Sequence, residues 1–225
     1  RYWARSSRGW PLIRDARPNP AHRALAQLEQ RDHVSAVITQ NVDRLHQRAG
    51  SRRVIDLHGR LDRVRCLECN ALTQRDTLQA AVATPEHNNS AGVQRPDGDR
   101  DVPDHLVAAT TVPNCTTCGG TLMPDVVFFG GSIRRDITDA CESALAAADA
   151  LLAVGSSLQV FSGYRICRQA VRAGKPLAIL NKGTTRADDI AELKVDGRCG
   201  DTLKALLQDL ECAPGEPFSA TGGRT

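Results

Sequence analysis

The sequence predicts an α/β fold with a doubly wound parallel sheet and a small zinc-binding lobe. The first observation is that short apolar runs alternate with helix-like segments through the second half of the chain. The second is a set of two C-x-x-C pairs, which is typical of a zinc site. The third is that small or polar residues follow three of the apolar runs, as they do at the ligand-binding edge of a parallel sheet.

Length and composition limit the class of protein. The chain has 225 residues, enough for one medium domain or for a domain with a small lobe. Hydrophobic residues make up 41% and charged residues 24%, which is ordinary for a globular protein. The net charge of +3 is too small to indicate a nucleic-acid partner. Apolar runs fall short of the roughly 18 residues that a membrane span needs. We therefore expect neither direct nucleic-acid binding nor membrane binding.

The first half of the chain contains a helix start, a strand and an insertion. Asn19 is a suitable N-cap and Pro20 suits the first helical position, so a helix is predicted to begin here. Residues 34–39 form a short β-branched apolar run that predicts a buried strand. Residues 72–112 are rich in polar residues, Gly and Pro, which predicts a long and partly mobile insertion between the two C-x-x-C pairs.

The second half is more regular. Strands are predicted at residues 126–129, 150–154 and 176–180, and the last two are expected to be fully buried. Helices are predicted at residues 136–149, 163–174 and 201–210. This alternation indicates parallel strands joined by helical crossovers.

Three predicted strands end in residues that suit a dinucleotide. The strand ends are followed by Gln40, Asn41, Val42 and Asp43, by Gly155, Ser156 and Ser157, and by Asn181, Lys182 and Gly183. Each group alone is also what an ordinary turn contains. Three such groups on one edge of a sheet favour a site for ribose and phosphate groups.

The two C-x-x-C pairs predict one tetrahedral zinc site with the ligands Cys66, Cys69, Cys115 and Cys118. Four protein ligands leave no open position, so the ion is expected to be structural. The alternatives are two disulfides and a nucleic-acid-binding zinc ribbon. The other four cysteines are scattered singly, which favours a reduced intracellular protein. The few basic residues near the pairs are not interleaved with aromatic side chains, which speaks against the ribbon.

Five motifs in series give the chain a family resemblance. They are Thr-Gln-Asn-Val-Asp at 39–43, His-Gly at 58–59, the two C-x-x-C pairs, Val-Phe-Phe-Gly at 127–130 and Gly-Ser-Ser-Leu-Gln-Val at 155–160. In order and spacing, over nearly the whole chain, they resemble the sirtuins. The flanking residues 2–5, 18–22, 49–53 and 198–200 are similar to the class II branch, that of the mitochondrial lipoamidase-like sirtuin and its bacterial relatives.

The resemblance implies a Rossmann-like fold and an NAD-dependent protein-lysine deacylase of the deacetylase or lipoamidase type. In such an enzyme the acyl group passes to ADP-ribose and nicotinamide is released. His58 would be the general base on a ribose hydroxyl, with Asn41 and Asp43 beside it in the catalytic pocket. The cofactor contacts would come from Gln40, Asn41, Val42, Asp43, Gly155, Ser156, Ser157, Asn181, Lys182, Gly183 and Cys199. The Cys199 side chain could equally be a small buried group.

The substrates implied are acyl-lysine proteins or peptides. The substrate backbone would add as a strand between two segments that contain Val127, Phe128, Phe129, Leu158, Gln159 and Val160. Tyr2 and Arg5 have the Tyr-x-x-Arg spacing that reads a carboxylated acyl chain in the desuccinylase branch, and an Arg can bind a carboxylate with two hydrogen bonds. The flanking residues are nearer to class II, so the acyl preference stays open.

The sequence also departs from the family pattern. The glycine-rich first strand-loop-helix unit, which cradles the pyrophosphate, does not occur among the 225 residues, so the fold is expected without its first βα unit, as in an N-terminally truncated chain, and NAD binding is expected to be weak. Gly131 stands where the family usually carries an acid.

The remaining expectations concern organisation and alternatives. The predicted NAD-binding domain spans 1–59 and 124–212, the zinc-binding domain spans 60–123, and 213–225 is a flexible tail. Two other functions stay open: a protein mono-ADP-ribosyltransferase and an inactive zinc-dependent interaction module. We expect a monomer in a bacterial cytoplasm, or in a mitochondrion if the source is eukaryotic.

Overall fold

The computed structural model of the protein describes residues 2–82 and 102–212. Its helices are α1 (Tyr2–Asp15), α2 (Pro20–Gln30), α3 (Leu45–Arg48), α4 (Arg75–Ala81), α5 (Asp104–Ala108), α6 (Arg135–Ala147), α7 (Phe161–Arg172) and α8 (Cys199–Cys212). Its strands are β1 (Val37–Thr39), β2 (Val54–Asp56), β3 (Gly59–Cys66), β4 (Leu72–Gln74), β5 (Leu122–Val126), β6 (Leu151–Val154), β7 (Leu177–Leu180) and β8 (Leu193–Val195). A 3₁₀ turn spans Asp188–Ile190.

The chain divides into two compact units. The first contains Arg1–Arg17, Ala36–Arg48 and Arg53–Ala144, and the second contains Pro18–Ser35, Ala49–Arg52 and Leu145–Thr225. The domain boundaries given above stay a prediction.

The first unit holds two sheets. Strands β1 and β2 are parallel, with Val37 opposite Val54 and Thr39 opposite Asp56. Strand β3 lies between β4 and β5, and both of its pairings are antiparallel. The antiparallel sheet carries the four cysteines, because Cys66 ends β3 and the second C-x-x-C pair leads into β5.

A small apolar cluster stabilises this zinc lobe. Val64, Cys66, Leu78, Val82, Cys115 and Leu122 are buried together. Trp3 of α1 packs against the cluster and its indole N–H donates to the carbonyl oxygen of Leu122 at 3.0 Å. The N-terminal helix is therefore attached to the cysteine-bearing sheet.

The second unit holds a three-stranded parallel sheet in the order β6-β7-β8, with Leu151 opposite Leu177 and Leu180 opposite Val195. Two buried clusters line it. One joins α2 and α8 to β7 through Leu28, Leu203 and Leu180, and the other joins α7 to β7 through Cys167 and Ile179. The predicted α/β fold with parallel strands is confirmed.

Local signals place the helix ends of this unit. The side-chain oxygen of Asn19 accepts from the backbone N–H of His22 at 3.1 Å, and Pro20 occupies the first turn of α2. Helix α7 is closed by Gly174, whose φ of +70° is a left-handed conformation that favours glycine. Both signals were readable in the sequence, so the start of α2 and the end of α7 agree with the predictions, whereas α7 begins two residues earlier than predicted, at Phe161.

Several predicted elements need correction. The strand predicted at 126–129 is wrong, because β5 ends at Val126 and Pro124 lies within it, opposite Val64. The first strand begins at Val37 rather than 34, since the N–H of Val34 still bonds to Leu28 at the end of α2. Strand β6 is not fully buried, as Leu152 is 40% exposed.

The prediction of a long, partly mobile insertion at 72–112 is also wrong for the first and last parts of this range. It contains β4, α4 and α5, and α4 is held by Leu78 and the following Val82, which supply apolar side chains to the cluster around the cysteines. Its central part, residues 83–101, lies outside the described residues, and so does the predicted tail from 213 onward. Helices α1, α3, α4 and α5 and strands β2, β3, β4 and β8 are not among the elements that the sequence predicts. Over the described ranges, none of the helices combines the length and the apolar character that crossing a membrane requires.

Candidate active site and zinc centre

His58 lies in the short connection between β2 and β3 of the first unit. Its ring Nδ1 is 3.1 Å from the carbonyl oxygen of Gln40, which follows β1. Since a carbonyl oxygen only accepts, Nδ1 is the protonated nitrogen in this pair, and Nε2 of the neutral ring is the one that can take a proton.

The protonation state of His58 follows from its surroundings. The ring is half-buried, and loss of solvation lowers its pKa below the usual 6.5, against a smaller upward effect of the Gln40 carbonyl. The ring is therefore neutral near pH 7, which is the state that a general base needs.

Gly59 allows the backbone beside His58 to approach β5 closely. Its φ is +80°, and a Cβ atom built on it would lie 2.1 Å from the carbonyl oxygen of Asp125. The N–H of Val127 donates to the carbonyl oxygen of His58 at 2.8 Å. These contacts fix the His58 backbone against the end of β5, in a place where only glycine fits.

The residues that follow β1 are held by short local contacts. The N–H of Asn41 donates to the hydroxyl of Thr39 at 3.1 Å, and the N–H of Leu61 donates to the carbonyl oxygen of Val42 at 2.9 Å. The carboxylate of Asp43 accepts from the N–H of Leu45 at 2.9 Å, an Asx-turn contact just before α3. The structure thus brings Gln40 and His58 together, with Asn41, Val42 and Asp43 on the same loop.

Asp43 also lines a cavity of about 380 Å³ in the first unit. Trp10, Arg44 and Asp62 lie on its wall. The pairing of Arg44 with Asp56 and the hydrogen bonds of 2.6 Å from Arg60 to Asp62 brace this side of the loop.

In the second unit, Gly155 and Cys199 come together at the carboxyl ends of β6 and β7. The N–H of Gly155 donates to the carbonyl oxygen of Leu180 at 2.9 Å, and the same oxygen accepts from the thiol of Cys199 at 3.6 Å. Gly155 has a φ of +61°, and a Cβ atom there would lie 3.3 Å from the Cys199 sulfur. The structure therefore places these two predicted cofactor contacts side by side at one edge of the sheet, and their contact with NAD stays a prediction.

The segment of Asn181, Lys182 and Gly183 forms a tight loop after β7. The side chain of Asn181 donates to the carbonyl oxygens of Lys182 and Gly183 at 3.1 and 3.3 Å. The carboxylate of Asp196, at the end of β8, accepts from the N–H of Gly183 at 3.2 Å. Asp196 was missed in the sequence because β8 itself was missed, since a strand of three residues with a lysine in the middle does not form an apolar run.

Lys194 and Asp188 support the same loop and were also missed. The ammonium of Lys194 donates to the carbonyl oxygen of Gly183 at 2.8 Å and to the carboxylate of Asp188 at 2.5 Å. Hydrogen bonds from Lys194 and Thr185 lower the pKa of Asp188 to about 2. Gly155, Ser157, Lys182 and Gly183 are exposed, so this edge offers backbone and polar groups that fit a ribose or a phosphate.

The four predicted zinc ligands lie together. Their sulfur atoms are within 4.8 Å of one another, with Cys66 3.5 Å from Cys118 and Cys69 3.7 Å from Cys115. Four thiolates at about 2.3 Å from a tetrahedral zinc would be about 3.8 Å apart, so the set fits the ion. All four cysteines are free, which rules out the two disulfides.

Backbone donors favour the thiolate form of one of the four ligands, Cys115. The N–H groups of Cys118 and Thr117 hydrogen-bond the sulfur of Cys115 and lower its pKa to about 6. Cys66 and Cys115 are buried, while Cys69 and Cys118 are exposed. Each C-x-x-C pair therefore contributes one inner and one outer ligand.

The residues predicted to contact the acyl-peptide lie in both units. In the first, Phe129 is 93% exposed, and the ring of Phe128 meets the edge of the Tyr2 ring at a centroid distance of 5.3 Å. Arg5 lies one turn after Tyr2 on α1, and the Tyr2 hydroxyl accepts from Ser6 at 3.1 Å. In the second unit, Leu158 is buried, whereas Gln159 and Val160 are exposed.

Comparison with known proteins shows what the chain is similar to. The sequence profile of the Sir2 family matches residues 1–162. An NAD-dependent protein deacetylase of Xanthomonas campestris is 50% identical over 210 residues, covering 92% of this chain and 72% of the relative. An NAD-dependent protein deacylase of Monosiga brevicollis is 46% identical over 222 residues, covering 93% and 71%.

Solved structures give the same result. A Sir2 structure bound to an acetylated peptide superposes with a TM-score of 0.71 at 30% identity, covering 89% of this chain and 74% of that one. A structure of Sir2 with a p53 peptide and NAD⁺ has the same TM-score and identity, with coverage of 89% and 73%. The parallel strands, the four clustered cysteines and these matches agree, and the chain belongs to the Sir2 family.

Proposed function

We propose that this chain is an NAD-dependent protein-lysine deacylase in which His58 is the general base. The observation that supports the proposal best is the contact of 3.1 Å between His58 Nδ1 and the Gln40 carbonyl oxygen. It makes Nε2 the basic nitrogen, and burial keeps the ring neutral by lowering its pKa. The relatives at about 50% identity are NAD-dependent protein deacetylases.

The chemical type of each residue indicates its role in the proposed reaction. NAD supplies a ribose carbon that can be attacked, nicotinamide as a leaving group and ribose hydroxyls that can receive an acyl group. His58 accepts a proton at Nε2 from one of these hydroxyls. Asp43 and Asn41 offer an acceptor and an amide to the nicotinamide and its ribose. Gly155, Ser156, Ser157 and the loop of Asn181, Lys182 and Gly183 bind the rest of the dinucleotide, with Cys199 behind Gly155.

The zinc ion in this proposal is structural. All four positions of a tetrahedron are filled by Cys66, Cys69, Cys115 and Cys118, which leaves none for a substrate. The ion would hold the ends of β3 and β5 together at one end of the sheet whose other end carries Gly59, beside His58. It therefore contributes to catalysis only through the stability of the lobe.

A separate proposal concerns which acyl group on the lysine the protein prefers. We propose that Tyr2 lies beside the acyl chain, because its ring contacts Phe128 of the predicted peptide-binding segment. Whether Arg5 reads an acidic acyl group is tested by comparing acetyl-, succinyl-, glutaryl- and lipoyl-lysine peptides with the wild type and Arg5→Met. A selective loss of the acidic substrates in the variant would assign that role to Arg5, and equal rates would rule it out.

The main experiment measures nicotinamide release from NAD with acyl-lysine peptides, with the products identified by mass spectrometry. We expect release to require the peptide, to yield acyl-ADP-ribose and free lysine, and to be lost in His58→Ala. His105→Ala is the matched control, because His105 is an exposed histidine on α5 of the same unit.

The two alternatives predict other results. A mono-ADP-ribosyltransferase would leave ADP-ribose on the protein acceptor, without acyl-ADP-ribose. An interaction module would fold and bind zinc but release no nicotinamide with any peptide, and that outcome would contradict the proposal.

A further inference from the structure

Residues Ser156–Val160 follow β6 in an unusual backbone conformation. Leu158 has a φ of +56°, a left-handed conformation that costs energy for a residue with a β-carbon. Its side chain is 4% exposed and packs in the cluster with Cys167, Leu177 and Ala187. Its N–H donates to the hydroxyl of Ser156 at 3.2 Å. A conformation of this kind persists only when neighbouring groups hold it.

Arg186 provides two of the contacts that hold it. The backbone N–H of Arg186 donates to the carbonyl oxygen of Ser157 at 2.9 Å. Its guanidinium donates to the carbonyl oxygen of Gln159 at 3.3 Å. One residue therefore bonds to the carbonyl groups on both sides of Leu158.

Aromatic rings direct the guanidinium of Arg186. It lies 4.5 Å from the ring centroid of Tyr164 and 5.7 Å from that of Phe161, two residues in the first turn of α7. These are distances at which a cation is attracted by a ring face. The planar guanidinium can stack on a ring and donate at its edge at the same time, which an ammonium group cannot do.

The main chain at Arg186 is itself well fixed. Thr185 and Ala187 on either side are buried. The hydroxyl of Thr185 donates to Asp188 at 2.5 Å and accepts from the N–H of Ala187 at 3.2 Å. Arg186 thus extends from a rigid turn toward the segment that it contacts.

We propose that Arg186 is a positioning residue that holds the segment of Leu158, Gln159 and Val160 in the shape that pairs with the backbone of the acyl-peptide. The inference rests on the proposed function, in which this segment binds the substrate. It adds a residue outside the five motifs of the family resemblance, in the turn that follows the loop of Asn181, Lys182 and Gly183.

The first test needs no substrate. Amide hydrogen exchange is compared in the wild type, Arg186→Met and Arg186→Lys. We expect exchange at Leu158, Gln159 and Val160 to be faster in Arg186→Met by roughly tenfold, the factor expected for losing one hydrogen bond to a charged group. Arg186→Lys keeps the charge without the stacking plane and should restore part of the protection. Arg172→Met, at the exposed end of α7, is the matched control and should leave these amides unchanged.

The second test uses an acetyl-lysine peptide with a fluorescent label. Arg186→Met is expected to raise the Kd of the peptide, and its KM in turnover, by roughly tenfold, with the KM for NAD unchanged. A role in overall stability alone would move both KM values or neither. The peptide Kd and KM of Arg186→Lys should again lie between those of Arg186→Met and those of the wild type.

The outcomes separate the inference from the function on which it rests. Unchanged exchange at 158–160 in Arg186→Met overturns the inference, and so does faster exchange with an unchanged peptide Kd. Failure of the wild type to bind any acyl-peptide counts against the proposed function and removes the substrate-pairing role of Arg186 with it. In that case, amide hydrogen exchange at 158–160 that still depends on Arg186 would show only that Arg186 stabilises the structure of this segment.

Discussion

The imidazole Nδ1 of His58 lies 3.1 Å from the carbonyl oxygen of Gln40, and this contact leaves Nε2 as the nitrogen that can accept a proton. The relationship joins the loop after β1 to the loop after β2, within one unit. It gives the candidate base both an orientation and a tautomer.

The pH dependence of activity should report the pKa of His58. Burial lowers that pKa below 6.5, so the active neutral form predominates at pH 7 and is lost as the pH falls through the lowered value. We expect kcat/KM for the acyl-peptide to be flat above pH 7 and to fall with an acid limb below pH 6.5. An acid limb above pH 7 would contradict the assignment.

The same shift affects stability. Because the folded pKa lies below the unfolded value, the unfolded chain binds more protons below pH 6.5, and the free energy of unfolding decreases as the pH falls toward the folded pKa. In His58→Gln the part of this decrease that comes from protonation of His58 should be absent. Urea unfolding of both proteins at pH 7.5 and 5.5 measures the difference.

Zinc removal should be visible in tryptophan fluorescence. The chain has two tryptophans, and Trp3 packs against the cluster that contains Cys66 and Cys115, whereas Trp10 donates to Asp76 at 2.7 Å. We expect one zinc per chain by elemental analysis, and a red shift of Trp3 emission when a chelator removes it.

Two single-tryptophan variants provide the control for the zinc experiment. In Trp10→Phe only Trp3 emits, and its emission should shift on chelation. In Trp3→Phe only Trp10 emits, and the shift should be smaller. Equal shifts in the two variants would mean that the whole first unit, and not the lobe cluster, depends on the metal.

Gly59→Ala should be strongly destabilising. The substituted residue would have to keep a φ of +80° and would bring its Cβ atom to 2.1 Å from the carbonyl oxygen of Asp125. Gly174→Ala has a similar φ of +70° with no atom within 4 Å of its Cβ, so it isolates the cost of the backbone conformation, about 1 kcal/mol. We expect Gly59→Ala to cost at least about 2 kcal/mol more, from the steric clash. Equal losses in thermal unfolding would refute this.

Asp125 is expected to be a source of acid sensitivity. Burial by itself would raise the pKa of its carboxyl group, but hydrogen bonds from Arg65 and Arg63 outweigh burial and lower it. The stabilising effect is present above the unfolded value near 3.8 and is lost as the pH falls through the folded pKa.

Asp125→Asn tests this ion pair. We expect a loss of about 1–2 kcal/mol at pH 7, because the two guanidinium groups lose their anionic partner. The difference from the wild type should shrink below pH 4, where the natural carboxyl also becomes protonated. A constant difference down to pH 2 would exclude the linkage. Asp139→Asn, on the exposed face of α6, is the control.

Phe129 is expected to matter for binding and not for stability. Its side chain is 93% exposed, so Phe129→Ala should change the free energy of unfolding by less than about 0.5 kcal/mol. If Phe129 contacts the substrate, the acyl-peptide Kd should rise by roughly tenfold, as for an aromatic residue at the centre of an interface. Leu206→Ala on α8, which lies outside the predicted peptide-binding segments, should leave the peptide Kd unchanged.

Much of this protein could be predicted from short-range patterns. The spacing of Cys66, Cys69, Cys115 and Cys118 predicted the cluster of sulfur atoms, because a tight turn brings both cysteines of a C-x-x-C pair to one ion. Asn19 with Pro20 set the start of α2, and Gly174 set the end of α7, because capping depends on neighbours within a few residues. The apolar runs before Gly155 and Asn181 gave two neighbouring parallel strands.

Other features depend on partners that are distant in the chain. Strand β5 ends at Val126, which pairs with Gly59. The next residue, Val127, donates its N–H to the carbonyl oxygen of His58 and does not continue the strand. Trp3 and Trp10 of helix α1 donate to groups that lie more than sixty residues away in the sequence. The buried face of this helix is set by those distant partners, and its own sequence shows no clear helical spacing of apolar residues. In both cases tertiary contacts override the local pattern.

The sequence by itself therefore determined the family motifs, the zinc ligands and the parallel α/β pattern, since each depends on residue type and spacing along a short stretch. Only the tertiary structure decided which nitrogen of His58 is the base, which residues brace the loop of Asn181, Lys182 and Gly183, and how Arg186 holds the backbone around Leu158. Those features are hydrogen bonds between distant segments, and a bond of that kind is fixed by the folded positions of both partners.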